Sequence, residues 1–181
     1  FALNIASNVV KQGHTAAVFS LEMTAEQLAS RLLSAAAELD SRRLRTGELS
    51  PDDWVRFARA ADELSKTHLY IDDTPGITVA EIKARCRRVR DLELIIIDYL
   101  QLMTPGGRAE NRVQEVSQMT RALKIMAKDL NIPVVVLSQL SRSVEQRAKN
   151  AKPQLSDLRE SGSIEQDADV IIFLHRDADA E

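Results

Sequence analysis

Three polar side chains in this sequence stand just past apolar runs. Glu22 lies in Phe19-Ser20-Leu21-Glu22-Met23, Asp98 follows Leu94-Ile95-Ile96-Ile97, and Gln139 follows Val134-Val135-Val136-Leu137-Ser138. No polar residue alternates within the run before Asp98, so both faces of that strand should be buried, as in a parallel sheet. A carboxylate at the carboxyl end of such a strand lies at the edge where open α/β sheets bind ligands. There it can orient Mg²⁺ beside phosphates, or serve as an ordinary turn aspartate. Glu22 sits between a strand and a helix. It can accept a proton from, or orient, a water attacking a terminal phosphate, or simply complement the helix N-terminus. The neutral amide of Gln139 suits a hydrogen bond to a phosphate oxygen or a water. Three such groups along one edge favour nucleotide chemistry more than any one of them.

The elements that must position these groups alternate between helix and strand. Phe1 to Gln12 carries apolar residues at helical spacing (Leu3, Ile5, Ala6, Val9, Val10), and Gly13 supplies a stop. Thr15 to Phe19 reads as a strand. Thr24-Ala25-Glu26-Gln27 is a capping box that opens a helix through about Leu39. Ser50-Pro51-Asp52-Asp53 places a cap, a first-turn proline and two acids before a helix reaching about Ser65. His68 to Ile71 is the next strand, and Thr78-Val79-Ala80-Glu81 starts a helix that leads into the strand ending at Asp98. Gln114 to Leu130 forms a long amphipathic helix, Pro133 to Leu137 a strand, and Val170 to Leu174 a final strand. Strands separated by helices imply a parallel, helix-flanked sheet. Two long loops follow strands, one beginning at Thr104-Pro105-Gly106-Gly107-Arg108 and one from Ser138 to about Ser163. The second holds Arg142, Arg147, Lys149 and Lys152 against Glu145, a pattern that fits either a solvated loop or one binding a phosphate backbone.

Composition sets modest limits. A chain of 181 residues, 44% apolar and 28% charged, fits one domain with a substantial core and shows no disorder-like excess. A net charge of -3 provides no global basic field, although a local basic groove is compatible with it. The single cysteine, Cys86, excludes an internal disulfide, and its helical neighbours Ile82 and Val89 mark it as a packed core thiol. No apolar run approaches membrane-spanning length and no signal-peptide pattern opens the chain, so an intracellular, soluble protein is expected.

Four segments occur in order: Phe19-Ser20-Leu21-Glu22-Met23; Ile95-Ile96-Ile97-Asp98-Tyr99-Leu100-Gln101-Leu102; Val136-Leu137-Ser138-Gln139-Leu140-Ser141-Arg142; and Leu155 through Asp169, with Arg159-Glu160-Ser161-Gly162 at its centre. This series resembles the motor domain of the DnaB-type bacterial replicative helicases. The match covers nearly the whole chain, and the last segment is the most discriminating. The resemblance implies an α/β fold, a RecA-like P-loop NTPase core with a mostly parallel sheet flanked by helices, truncated at both ends. Residues 1–181 would be part of that motor domain. It implies a cytoplasmic hexameric ring that translocates on single-stranded DNA and unwinds duplex DNA at the replication fork. ATP and Mg²⁺ would be its cofactors, and a primase and a helicase loader its partners. By motif position, Glu22 would activate the attacking water, Asp98 would hold Mg²⁺, and Gln139 would sense the terminal phosphate and couple it to the DNA loop. Arg31 matches an arginine near the phosphates, its alternative being a solvated helix residue. Arg159, Glu160 and Gly162 match the loop contacting the DNA backbone, where a glycine lets a backbone N–H approach a phosphate closely. Other RecA-like ATPases, such as a recombinase or a phage helicase relative, are alternatives, as is a non-catalytic fragment that binds DNA or partner proteins.

The sequence departs from the family pattern at both ends. The glycine-rich phosphate loop G-x-x-x-x-G-K-[ST] does not occur, and no residue can be assigned as the arginine finger. The strand leading into that loop is normally interior to the sheet, so unpaired backbone and exposed core are expected beside it. The chain is therefore expected to be a fragment of a longer polypeptide that hydrolyses ATP poorly by itself.

Overall fold

β3 (Leu92–Asp98) is the strand that organises the sheet. In the computed structural model, which describes residues 1–141, 152–158 and 162–176, it lies between β1 (Thr15–Ser20) and β4 (Val134–Val136), and β2 (His68–Asp72) completes the order β2-β1-β3-β4. All pairings are parallel. Neighbouring residues of a strand point to opposite faces, so β1 and β3 feed two cores. Ala17, Phe19, Ile95 and Ile97 pack on one face with Met119 and Met126 of α6 (Arg112–Leu130) and Ile82 of α5 (Val79–Cys86). Ala16, Val18, Leu94 and Ile96 pack on the other with Ala6 and Val10 of α1 (Ala2–Lys11) and Leu28 of α2 (Ala25–Ala36). An unbroken apolar run is what a strand covered by helices on both sides requires. Among the described residues β4 has a neighbour on one side only, and its three valines are half-buried.

The helix starts follow the local chemistry expected of them. Thr24 with Gln27, Ser50 with Asp53 and Thr78 with Glu81 each form a reciprocal capping box. α6 begins at Arg112, two residues before the periodic pattern, because the Asn111 side chain accepts the Gln114 N–H at 3.0 Å. It ends at Asn131, whose φ of 53° is the left-handed conformation that asparagine tolerates. Cys86 is buried as expected, and its thiol is pushed up to about 11 by burial and by the charge of Asp72.

Two expectations need correction. The run Val170 to Leu174 is not a strand: it has no ladder partner among the described residues, and Val170, Ile172 and Leu174 are 75%, 67% and 63% exposed. β-forming composition does not make a strand without a neighbour to bond. The segment between the second and third expected helices also folds. α3 (Ser41–Thr46) forms there, capped by Asp40 through the Arg42 N–H at 2.7 Å and closed by Gly47 at φ 76°. Its sequence, Ser41-Arg42-Arg43-Leu44-Arg45-Thr46, holds five polar residues and a single apolar one, so no periodicity marks it.

Asp53, 3% exposed, ties α3 to α4 (Pro51–Ser65). Its carboxylate accepts the Ser50 N–H at 3.0 Å and the guanidinium groups of Arg43 and Arg56 at 2.5 Å each. The Ser50 backbone N–H contributes most, then the Ser50 hydroxyl and Arg56, and together they hold the carboxyl far below its ordinary 3.8. A depressed carboxyl stabilises the fold above its unfolded value and loses that contribution as pH falls through the folded value. Asp53→Asn is therefore expected to lower the melting temperature by several degrees at pH 7. The gap to the unsubstituted protein should stay wide at pH 5 and close as the pH drops below 3.8, which thermal melts across a pH series would check.

Candidate functional site

The carboxyl edge of the sheet brings the first two predicted groups together. The register pairs Ser20 with Asp98 on the adjacent strands β1 and β3, and the Leu21 N–H donates to the Asp98 carbonyl at 2.7 Å. Beyond that bond the chain turns sharply. Ser20 is 1% exposed, and its hydroxyl donates to the Met23 carbonyl at 2.8 Å and accepts the Met23 N–H at 3.2 Å. Glu22 sits inside this small closed turn, exposed at the sheet edge. Thr24 then caps α2, and Asp73, just past β2, accepts the Ala25 N–H at 2.8 Å. Arg31 lies two turns further along α2, on its exposed side.

Electrostatics show how close these groups are. The Asp98 carboxyl is raised above its ordinary value, first by partial burial and then by the negative charge of Glu22. Arg31 opposes the rise. Asp98 therefore senses the charges of both Glu22 and Arg31. Two adjacent acids, one of them strained by the other, make a donor set that a divalent cation would relieve. No group of three or more metal-ligating side chains occurs among the described residues, so the site is not a protein-only cage. That sparse set fits Mg²⁺, which keeps waters and takes further oxygens from substrate phosphates.

Gln139 joins the edge from β4, and the residue that places it is Gln101. After β3 the chain forms a 3-10 turn, Leu100–Leu102, pinned by the Leu100 N–H to the Leu137 carbonyl at 2.9 Å. From there the Gln101 amide nitrogen donates to the Ser138 hydroxyl at 2.9 Å and the Gln139 carbonyl at 3.4 Å. Its amide oxygen accepts the Gln139 N–H at 3.3 Å. The Gln139 side chain is left exposed past the end of β4, the strand next to the one that ends at Asp98. Sequence reasoning quoted Gln101 and Ser20 within motifs but gave them no role. The available signal was position, since each lies within three residues of a predicted site group.

Gly162 opens α7 (Gly162–Asp167), which packs on α6 through Asp167: its carboxylate accepts the Thr120 hydroxyl at 2.7 Å and lies 3.7 Å from Arg121. A Cβ at Gly162 would meet nothing within 4 Å, so packing inside this chain does not demand a glycine there. Arg159 and Glu160, like Arg142, Arg147 and Lys149, lie outside the described residues. A separate hollow of about 300 Å³, lined by Val79, Ala80, Gly106, Gly107, Met119 and neighbours, contains none of the candidate groups.

The family model described as the DnaB-like helicase C-terminal domain matches residues 1–181. The chain is 54% identical over 182 residues to the replicative DNA helicase DnaB of Geobacillus stearothermophilus, and equally identical to the replicative DNA helicase DnaC of Bacillus subtilis. In each case the alignment covers 98% of this chain but only 40% of the relative's length. A solved DnaB-like replicative helicase, described with its interactions with primase, superimposes with a TM-score of 0.92 at 37% identity, over 97% of this chain and 43% of that one. A solved ATPase domain gives the same TM-score and identity, over 97% of this chain and 64% of that one.

The raised carboxyl of Asp98 has a measurable consequence. An acid whose folded value is raised costs stability when ionised; the cost is full above the folded value and absent below the ordinary 3.8. Asp98→Asn is therefore expected to raise the melting temperature by a few degrees at pH 7, with the gain shrinking as the pH approaches 4. An unchanged or lowered melting temperature at pH 7 would contradict the site electrostatics.

Proposed function

The chain belongs to the DnaB-like helicase C-terminal domain family, and from that membership we propose that it is the motor part of a replicative helicase that hydrolyses ATP to move along single-stranded DNA. The reading is carried by one observation: Glu22 and Asp98 sit on adjacent strand ends, with the Asp98 carboxyl perturbed by Glu22 and Arg31. Glu22 orients the water that attacks the terminal phosphate and takes up its proton. Asp98 would hold Mg²⁺. Bound Mg²⁺ would supply positive charge against the phosphate oxygens. Arg31 adds a second positive charge on the same side. Gln139 donates a hydrogen bond toward the terminal phosphate, and its amide carries no charge to repel it.

Further roles follow from the family. Arg159, Glu160 and Gly162 form the segment that meets the DNA backbone. Arg159 supplies charge, Gly162 an unshielded backbone N–H, and Glu160 a backbone contact or a pairing with an arginine. The working form is a hexameric ring of the full-length protein, acting in the cytoplasm. It would contact a primase, as the solved relative does by its description, and be placed on DNA by a loader. No helix among the described residues is long and apolar enough to cross a membrane.

Two substitutions in the full-length protein test this. Glu22→Gln is expected to reduce the DNA-stimulated ATPase rate by about 100-fold or more while ATP affinity stays within a few-fold, because only the proton acceptor is lost. A rate close to the original removes Glu22 from the catalytic role. Arg159→Ala is expected to weaken single-stranded DNA binding and reduce the slope of log affinity against log salt by about 0.7. A salt slope that does not move would show that Arg159 touches no phosphate.

A further inference from the structure

We propose that Gln101 is a positioning residue that fixes Gln139 and couples its placement to the start of α6; this rests on the role of Gln139 in the ATPase reading above. One amide makes three hydrogen bonds to this segment: to the Ser138 hydroxyl at 2.9 Å, and to the backbone of Gln139 through its carbonyl at 3.4 Å and its N–H at 3.3 Å. β4 ends at Val136 and is an edge strand among the described residues, so the sheet gives Gln139 no ladder of its own. The Gln101 side chain takes the place of that ladder. It meets both backbone polar groups of Gln139 and leaves the side chain of Gln139 directed outward.

The other half of the device is the backbone of Gln101. Its carbonyl accepts from the Arg112 guanidinium at 2.7 Å, and Arg112 also pairs with Glu115 at 2.8 Å in the first turn of α6. α6 in turn carries α7 through Thr120 and Arg121 to Asp167, and through an ion pair from Lys124 to Asp169. α7 begins at Gly162. One residue thus touches the group beside the terminal phosphate on one side and, on the other, the helix bearing the segment that meets DNA. A shift of Gln139 on loss of the terminal phosphate must stretch the Gln101 clasp or drag the 3-10 turn with it, and the turn moves Arg112. Gln101 touches neither substrate nor metal, so it acts through Gln139.

The test is a double-mutant cycle in the full-length protein, read as kcat and KM for ATP in the presence of single-stranded DNA. Gln101→Met keeps the length of the side chain and removes all three hydrogen bonds. It is expected to lower kcat about tenfold while KM for ATP stays within about twofold. Gln101→Glu retains the oxygen that accepts the Gln139 N–H and is expected to lie between Met and the original. In the background of Gln139→Ala, Gln101→Met is expected to cost less than twofold further, because the group it positions is gone. Equal losses in both backgrounds would overturn the inference, as would an unchanged kcat for Gln101→Met. Should Gln101→Met lower the melting temperature sharply, Gln101→Glu decides the matter by the same cycle. Glu22→Gln run alongside separates the two readings. If it stays active, the ATPase assignment itself fails; if it is inactive while Gln101→Met turns over normally, only the role of Gln101 fails.

Discussion

Burial of β3 on both faces is the constraint from which the rest of the structure follows. Leu94 and Ile96 must be covered by α1 and α2, and Ile95 and Ile97 by α5 and α6, so helices are required on each side of the sheet. With both faces covered and β1 and β4 on its flanks, β3 can present polar groups only at its ends. Its carboxyl end carries Asp98, and the parallel register brings the ends of β1 and β4 beside it. The site is the polar margin of an apolar core.

That margin is costly to fold. Partial burial of Asp98 and the charge of Glu22 raise the Asp98 carboxyl, and Arg31 does not cancel the rise. Elsewhere the chain arranges its charges in the opposite sense. Asp53 collects two arginines and two serine donors, and Asp72 pairs with Arg85 beside the Thr74 hydroxyl, so both carboxyls are lowered. Strain at the sheet edge is tolerated because the capping boxes and these paired acids stabilise the surrounding helices. Strain confined to one edge and relieved by a bound cation is the arrangement expected of a binding site.

Much of this was legible in the order of residues, for physical reasons that differ by element. Capping boxes depend on four consecutive residues, so Thr24, Ser50 and Thr78 announced their helices without reference to the rest of the chain. The apolar runs before Glu22, Asp98 and Gln139 were equally local, and membership of the family extended them to roles. Val170 to Leu174 misled because strand formation needs a partner, and composition carries no record of one. α3 was overlooked because arginines cover its periodicity, while its stability comes from Arg43 reaching Asp53.

The sequence by itself determined the alternation of strand and helix, the two-sided burial of β3, and which polar residues follow which strands. These are properties of short windows, fixed by side-chain period and backbone propensity. Only the tertiary structure decided that Ser20 closes the turn around Glu22, that Asp98 feels Glu22 and Arg31 together, and that Gln101 clasps Gln139 across a separation of 38 residues. Hydrogen bonds and charge interactions act over a few ångströms of space, whatever the number of residues between the partners. Such partners become visible only when the sheet has set its strand ends side by side.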